Sequence, residues 1–328
     1  MTAAGPDIAD IQALRERLAD KTIMTPVVRC AAIEEAIGGD TQVHAKLEFL
    51  QRTGTFKARG ALATLDLLTP GQLAAGVTAV SAGNHAIATA YAAKVLGTTA
   101  KVVMIRSASP CRIEACRAYG AEVVLANDVH QAFELAENIQ NDEGRYFVHP
   151  FEGPAVAMGT GTVGLEICEQ LEDFDAIVIP VGGGGLIGGV ANTVKRLRPA
   201  CEVIGVEPEG ADTMHQSLAT GEPMKIAAVR TIADSLGAPF ALPYSFGLCQ
   251  LHVDRLAMVD DLALRKAMGF LFRSMKIAVE PACAASTAAL LGPLRDELMG
   301  KHVVLVMCGS NIDWATFEEQ AILDDDAN

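Results

Sequence analysis

The chain has 328 residues and a mass of 34.4 kDa, which is enough for one large domain or two ordinary ones. Half of the residues are apolar and a fifth are charged, which is typical of a globular protein and excludes a disordered chain. The net charge of −14 argues against nucleic-acid binding and against a polybasic membrane contact.

No targeting or membrane segment is predicted. Residues 1–20 lack a basic start followed by an apolar core, so we predict no signal peptide. The uncharged run 176–194 contains six glycines and Pro180, which is typical of a strand, a loop and a helix start rather than a membrane helix. The eight cysteines are scattered without a C-x-x-C pair, which indicates reduced thiols in a cytoplasmic protein.

Helices and strands alternate along most of the sequence. In chain order, the patterns predict helix 7–20, strand 43–47, helix 57–68, strand 77–80, helix 84–96, strand 101–105, helix 110–119, strand 122–125, helices 129–140 and 156–171, strand 176–181, helix 186–197, and strands 202–207 and 302–307. Several strands are continuous apolar runs, such as I-V-I-P-V at 177–181, and such runs indicate strands covered on both faces. We therefore predict an α/β fold of two lobes with mostly parallel sheets, with a break near 141–145.

A glycine-rich loop, V-G-G-G-G-L-I-G-G at 181–189, joins a predicted strand to a predicted helix. Its N–H groups and the helix N-terminus would form a cradle for an anion. Gly183, Gly185 and Gly188 also match the dinucleotide fingerprint G-x-G-x-x-G, and Glu207 ends the next strand. This loop alone therefore leaves open a phosphate site, a nicotinamide site and a tight turn without a ligand.

A lysine stands where a Thr-Gly-Thr turn meets the start of a helix, in L-E-F-L-Q-R-T-G-T-F-K-A-R-G-A at 47–61. The helix dipole disfavours a cation at this end, so Lys57 needs another reason to be there. Desolvation would lower its pKa, which suits an amine that forms a Schiff base. On charge placement alone, an ordinary exposed lysine is the favoured interpretation.

The whole segment resembles the lysine motif of the fold-type II pyridoxal-phosphate enzymes, in particular the serine/threonine dehydratase and serine racemase family. Their motif is close to L-E-x-x-Q-x-T-G-S-F-K-x-R-G-A, with Thr55 in place of the serine. The resemblance implies the tryptophan synthase β-like fold and pyridoxal 5'-phosphate as cofactor. It makes Lys57 the catalytic Schiff-base lysine and Phe56 a ring beside the cofactor. The phosphate would lie on Gly182, Gly183, Gly184, Gly185 and Leu186.

A second loop, S-A-G-N-H-A at 81–86, also lies between a strand and a helix. Without the resemblance, an N-capped helix with no ligand is the simpler interpretation. In the family this loop binds the substrate carboxylate, which implies the substrate-binding residues Ser81, Ala82, Gly83, Asn84 and His85. The resemblance also implies that Asn84 hydrogen-bonds the phenolic oxygen of the cofactor. Racemases of the family carry a serine at the position of Ala82, and alanine cannot transfer a proton, so racemisation by that route is disfavoured.

The last motif, C-G-S-N at 308–311, follows the final predicted strand. The family form S-G-G-N places a serine hydroxyl opposite the pyridine nitrogen, and here Cys308 takes that position. A neutral partner makes the ring a weaker electron sink than an aspartate partner would, which favours β-elimination over transamination. A small buried cysteine without a role is the alternative.

Further segments match the family, so the resemblance covers nearly the whole chain. They are G-T-G-T at 159–162, E-P at 280–281 and T-I-A-D-S at 231–235, where many members have glycine in place of Ser235. A divalent-cation site of the family would use Glu207, the carbonyl of Ala211 and an acid at 213, where this chain has Thr213. We therefore predict no metal ligands and leave a divalent cation near Glu207 as an open alternative. Segment 239–247 is a candidate for the pocket wall.

The resemblance implies an ammonia-lyase that removes water from a small β-hydroxy amino acid of the serine, threonine or 3-hydroxyaspartate type. The products would be a 2-oxo acid and ammonia. The alternatives are a nicotinamide-dependent oxidoreductase and a protein that binds pyridoxal phosphate without catalysis. We expect a large domain of residues 1–66 and 146–328, a small domain of residues 67–145, and a cytoplasmic homodimer with neither nucleic acid nor membrane as a partner.

Overall fold

The computed structural model describes residues 5–323, and within them ten strands form two sheets. The strands are β1 Val27–Arg29, β2 Gln42–Leu47, β3 Val77–Val80, β4 Ala100–Ile105, β5 Glu122–Ala126, β6 Tyr146–Phe147, β7 Ala176–Pro180, β8 Glu202–Pro208, β9 Arg255–Val259 and β10 His302–Met307. The chain thus alternates between strands and helices, as the sequence predicts.

The helices in the described residues lie mainly between successive strands. They are α1 Ile8–Arg17, α2 Ala31–Ile37, α3 Lys57–Asp66, α4 Pro70–Ala75, α5 Asn84–Val95, α6 Pro110–Ala118, α7 Val129–Glu143, α8 Pro154–Gln170, α9 Gly185–Leu197, α10 Thr213–Thr220, α11 Pro243–His252, α12 Asp261–Met275, α13 Pro281–Leu291, α14 Arg295–Leu298 and α15 Trp314–Gln320. Short 3₁₀ helices span Glu48–Leu50, Arg52–Gly54, Glu209–Ala211 and Asp234–Leu236. Within residues 5–323 no helix combines the length and the apolar character needed to cross a membrane.

The larger sheet has six strands in the order β1-β2-β10-β7-β8-β9. Every neighbouring pair is parallel except β1 and β2, which are antiparallel at the edge. All five residues of β7 are buried, as are Val303–Met307 of β10, because helices cover both faces. The continuous apolar runs of the sequence are therefore central strands of a parallel sheet, and the predicted α/β class is confirmed.

The smaller sheet has four parallel strands in the order β5-β4-β3-β6. Its last strand, β6, pairs with β3 in a register that places Tyr146 opposite Val77. The sheet therefore extends two residues past the boundary at residue 145 that we assigned to the small domain. The division of the chain into two domains stays a prediction.

Helix α8 connects the two helices that carry the predicted motifs, because it packs against both α3 and α9. Small residues allow this close packing. A Cβ atom on Gly159 would lie 2.4 Å from the carbonyl oxygen of Arg59, and one on Gly189 would lie 2.1 Å from Oγ1 of Thr160. The G-T-G-T segment of α8 thus lets α9, which follows the glycine loop, and α3, which carries Lys57, pack closely against the same helix.

Candidate active site

Two adjoining cavities lie between the sheets. The inner cavity has a volume of about 460 Å³, and every residue predicted to bind the cofactor lines it: Phe56, Lys57, Asn84, residues 182–186 and Cys308. The outer cavity has a volume of about 1000 Å³, and the predicted substrate-binding residues 81–85 line it. Lys57, Asn84 and Gly183 belong to both walls, so the two cavities meet at these residues. The binding roles of these residues remain predictions.

Lys57 is the first residue of α3, and its side chain points inward. Its Nζ donates a hydrogen bond of 2.6 Å to the carbonyl oxygen of Pro150. Burial lowers the pKa of the Lys57 amine to about 8, although the neighbouring Cys308 and Glu280 act in the opposite direction. The interpretation of Lys57 as an ordinary exposed lysine therefore does not hold, and the amine is closer to its nucleophilic neutral form than a free lysine.

The glycine loop turns from β7 into α9 above the inner cavity. Gly184 has a φ of +86°, a left-handed conformation that favours glycine. A Cβ atom on Gly183 would lie 2.3 Å from the Phe151 ring, and one on Gly185 would lie 2.5 Å from the carbonyl oxygen of Phe151. Packing therefore requires these glycines. The first N–H groups of α9 lack partners within the helix and can bind an anion.

The second loop, between β3 and α5, brings Asn84 to the junction of the cavities. Its Nδ2 donates hydrogen bonds of 2.8 and 3.0 Å to the two carboxylate oxygens of Glu280. Its Oδ1 accepts a hydrogen bond of 2.8 Å from Nδ2 of Asn311, in the C-G-S-N motif. Burial raises the pKa of Glu280, while the bond from Asn84 opposes that rise. The predicted cofactor ligand Asn84 is thus oriented by residues of two other motifs.

His85 is buried at the start of α5, and its Nε2 donates a hydrogen bond of 2.8 Å to the carbonyl oxygen of Val148. Burial, with a further contribution from the nearby Lys57 amine, lowers the pKa of His85 to about 3. The imidazole is therefore neutral at neutral pH. His85 lies on the wall of the outer cavity, but its Nε2 already donates its hydrogen bond to a backbone carbonyl oxygen.

Cys308 lies at the end of β10, and its carbonyl oxygen accepts a hydrogen bond of 3.1 Å from the Phe56 N–H. This bond joins the last motif directly to the lysine motif. Hydrogen bonding with the Cys283 thiol, together with burial, holds the pKa of the Cys308 thiol well above its usual value. Cys308 is therefore a neutral thiol at the inner cavity, which is the state that the sequence interpretation needs. Its contact with a pyridine nitrogen stays a prediction.

Sequence reasoning missed His149, Phe151 and Arg112, which line the outer cavity. Arg112 comes from α6, and its Nη1 lies 2.5 Å from Oδ2 of Asp234 on the other side of the cleft. His149 and Phe151 lie two and four residues after the end of β6, and this H-P-F segment just past the carboxyl end of a strand was the available signal. For Arg112, the pairing across the cleft joins residues 122 positions apart, and no local pattern reveals it.

Glu207 does not take part in either cavity. Its carboxylate oxygens accept hydrogen bonds of 2.8 and 2.7 Å from the N–H groups of Met214 and His215 at the start of α10. Burial raises its pKa to about 8 against these bonds. Thr213 donates its hydroxyl to the carbonyl oxygen of Ala238, at 2.6 Å. Among the described residues no three metal-ligating side chains cluster, so a divalent cation near Glu207 has no support.

The arrangement as a whole is that of an enzyme that holds a phosphorylated carbonyl cofactor. A buried amine and a helix N-terminus face the same inner cavity. The amine suits a covalent link to an aldehyde, and the glycine loop suits a phosphate.

Comparison with known proteins identifies the family. Residues 18–309 match the family described as pyridoxal-phosphate dependent enzymes, and the chain belongs to it. The phenylserine dehydratase of Ralstonia pickettii is 53% identical over 316 residues, which are 96% of each chain. The L-threonine ammonia-lyase of Thermotoga maritima is 38% identical over 93% of this chain and 76% of its own. The structure of maize serine racemase superposes with a TM-score of 0.91 at 32% identity, over 97% of both chains.

These relatives confirm the predicted fold type, the pyridoxal-phosphate cofactor and the lyase class of the ammonia-lyase or dehydratase kind. The nicotinamide alternative finds no support. Its acidic residue, Glu207, caps a helix instead of facing the glycine loop, and the family match points to a different cofactor.

Proposed function

We propose that this chain is a pyridoxal-phosphate dependent dehydratase that prefers β-hydroxy amino acids carrying an aryl group. The observation that carries the proposal is the apolar wall of the outer cavity, formed by Val129, Phe133, Phe151, Pro239 and Phe240. Val129 and Phe133 lie on α7 and are 55% and 46% exposed, so large apolar side chains stand at the cavity without a partner. An aryl group would bury this surface. The 53% identity to a phenylserine dehydratase supports the same substrate class.

Residues of the inner cavity would hold the cofactor. The N–H groups of residues 182–186 would bind its phosphate, Asn84 its phenolic oxygen, and Cys308 would face its ring nitrogen. When bound, pyridoxal phosphate withdraws electrons from the bond between the α-carbon and its hydrogen. Phe56 would pack beside the ring, since its side chain lines the same cavity.

Lys57 would move the protons of the reaction. The free amine of Lys57 would take the proton from the α-carbon, and residues 81–85 would hold the substrate carboxylate. The bonding pair between the β-carbon and oxygen then leaves with the oxygen, which takes up that proton from Lys57, so water is lost. The released enamine becomes an imine and is hydrolysed to a 2-oxo acid and ammonia. A pKa of about 8 suits both transfers near neutral pH.

We further propose that the protein is a cytoplasmic homodimer of two-domain subunits. All eight cysteines are free thiols, and seven of them are buried, which suits a reducing compartment. The two separate sheets support the division into two domains. Exposed apolar side chains such as Trp314, 61% exposed, are available to a partner subunit. Light scattering after size-exclusion chromatography measures the subunit number, and a monomer would contradict the dimer.

Ammonia release from a panel of β-hydroxy amino acids tests the substrate. We expect kcat/KM for phenylserine to exceed that for serine by about tenfold or more, because aryl burial contributes to binding in the transition state. Phe240→Ala should lower kcat/KM for phenylserine by about tenfold and leave serine nearly unchanged. Leu67→Ala, at a 52% exposed residue outside both cavities, is the control. Equal rates for serine and phenylserine would overturn the aryl preference, and a yellow protein inert toward the whole panel would support the non-catalytic alternative.

A further inference from the structure

His149 stands at the outer cavity beside the Lys57 amine. It follows β6 and precedes Pro150, whose carbonyl oxygen accepts the hydrogen bond from Nζ of Lys57. The imidazole lines the outer cavity, on the wall that Lys57 and Phe151 also form. His149 is therefore close to the place where a substrate's α- and β-carbons would react.

The hydrogen bonds of His149 fix which nitrogen carries the proton. Its Nδ1 accepts hydrogen bonds of 3.3 and 3.0 Å from the N–H groups of Phe151 and Glu152. A ring nitrogen that accepts from backbone N–H groups carries no proton itself, so the hydrogen of the neutral imidazole is on Nε2. Burial, with a further contribution from the Lys57 amine, lowers the pKa of His149 to about 4, so the ring is neutral at neutral pH.

The plane of the ring is fixed by two aromatic neighbours. The Phe151 ring lies at a centroid distance of 4.6 Å and an interplanar angle of 89°, and the Phe147 ring lies at 6.2 Å and 69°. In residues 5–323 no group accepts a hydrogen bond from Nε2 of His149. His85, the other histidine of this wall, differs because its Nε2 already donates to Val148. His149 thus presents an oriented N–H that no protein group uses.

Building on the dehydratase function proposed above, we propose that Nε2 of His149 donates a hydrogen bond to the β-hydroxyl oxygen of the substrate. The substrate amine would bond to the carbonyl of the cofactor, and residues 81–85 would hold the carboxylate. This leaves the hydroxyl as the polar group for His149. Negative charge grows on this oxygen as the bond to the β-carbon breaks, and a fixed neutral donor stabilises that charge. The oxygen leaves with the bonding pair and takes its proton from Lys57, so His149 keeps its own proton throughout.

A pair of substitutions separates this role from a structural one. In His149→Asn, the side-chain oxygen stands where Nδ1 stood and can still accept from the Phe151 and Glu152 N–H groups, but the Nε2 donor is gone. In His149→Gln, an amide N–H can reach the position of Nε2. The two substrates to compare are phenylserine, which loses its hydroxyl, and 3-chloroalanine, whose chloride leaves without a hydrogen-bond donor.

We expect His149→Asn to lower kcat for phenylserine by about 100-fold, the scale seen on removing a transition-state donor. In the same variant, kcat for elimination from 3-chloroalanine should stay within about twofold of the wild-type value, and the absorption spectrum of the bound cofactor should be unchanged. His149→Gln should recover part of the loss of kcat for phenylserine. Equal losses on both substrates, or no loss on phenylserine, would overturn this inference while leaving the dehydratase function intact. A wild-type protein that binds the cofactor but eliminates from neither substrate would overturn the proposed function, and this inference with it.

Discussion

The guanidinium of Arg59 forms a bidentate ion pair with the carboxylate of Glu166, with Nη1 2.7 Å from Oε1 and Nη2 2.8 Å from Oε2. Arg59 also bonds Glu48, and Nζ of Lys46 lies 2.6 Å from Glu166, so two cations and two carboxylates compensate one another inside the protein. None of the four side chains is more than 2% exposed. Since Arg59 follows Lys57 by two residues, this neutral cluster holds the start of α3 in place.

Breaking this cluster should be costly. Glu166→Ala leaves Arg59 and Lys46 without one of their two carboxylates, and we expect a loss of about 3–5 kcal/mol in the free energy of unfolding. Asp66→Ala, which removes the exposed pair with Arg17, is the control and should cost less than about 1 kcal/mol. Urea denaturation measures both. A Glu166→Ala variant as stable as the control would show that the cluster does not hold α3.

The reactivity of Lys57 should follow its lowered pKa. Only the neutral amine attacks an aldehyde, and the neutral fraction rises with pH through the pKa, which burial lowers from 10.5 to about 8. The rate of covalent attachment of pyridoxal phosphate to the apoprotein should therefore rise with pH and reach half its plateau near pH 8. Stopped-flow absorbance measures this rate, and Lys57→Ala should show no attachment. A midpoint near the value of a free lysine would contradict the burial of the amine.

Gly185 should tolerate no side chain, whereas Gly71 should. A Cβ atom on Gly185 would lie 2.5 Å from a backbone oxygen of Phe151, so Gly185→Ala must shift the glycine loop. We expect weaker pyridoxal-phosphate binding and a loss of about 1–3 kcal/mol in stability. Gly71 lies in α4, and outside its chain neighbours and the backbone of that helix no atom lies within 4 Å of its added Cβ, so Gly71→Ala should stabilise the protein by about 0.5–1 kcal/mol. Thermal melts and cofactor titration distinguish the two, and equal effects would refute the packing argument.

The chemistry of Cys308 can be tested by two opposite substitutions. Cys308→Ser keeps a neutral partner of similar size, so ammonia release should stay within about threefold of the wild-type rate. Cys308→Asp introduces a carboxylate, whose negative charge would stabilise a proton on the ring nitrogen and make the ring a stronger electron sink. We expect ammonia release to fall by about tenfold or more, which corresponds to about 1.4 kcal/mol in the barrier. If Cys308→Asp releases ammonia as fast as Cys308→Ser, the reaction does not depend on a neutral partner at position 308.

Local patterns predicted those parts of the fold in which one segment determines its own structure. The predicted helix 57–68 is α3, which ends two residues earlier, and the predicted strand 302–307 is β10. The patterns gave no strand at β1, at β9 or at the two-residue β6. β1 has only three residues, and β9, at Arg255–Val259, has just two buried positions. These edge strands depend on their neighbours in the sheet, and the sequence of a single strand does not contain that information.

The candidate site divides in the same way. Lys57, Asn84 and the glycine loop stand in motifs with recognisable spacing, and they meet at one cavity. His149 has only the H-P-F segment after β6 as a local signal, and Arg112 has none. The Arg112 contact with Asp234 and the Asn84 contact with Glu280 join residues 122 and 196 positions apart. Pairings across such separations arise from the tertiary structure, and no local sequence pattern can predict them.

Part of the wall of the outer cavity has a different origin from the cradle of the glycine loop, although Phe151 of that wall packs against Gly183 and Gly185. Val129 and Phe133 belong to α7, beside the four-stranded sheet, whereas the cradle and the amine belong to α9 and α3, which α8 locks together. If the proposed aryl preference holds, exchanging Val129 and Phe133 on this one helix should change the substrate range. Such changes would leave Lys57 and the glycine loop in place, so they would alter what the outer cavity admits without altering the groups that line the inner one.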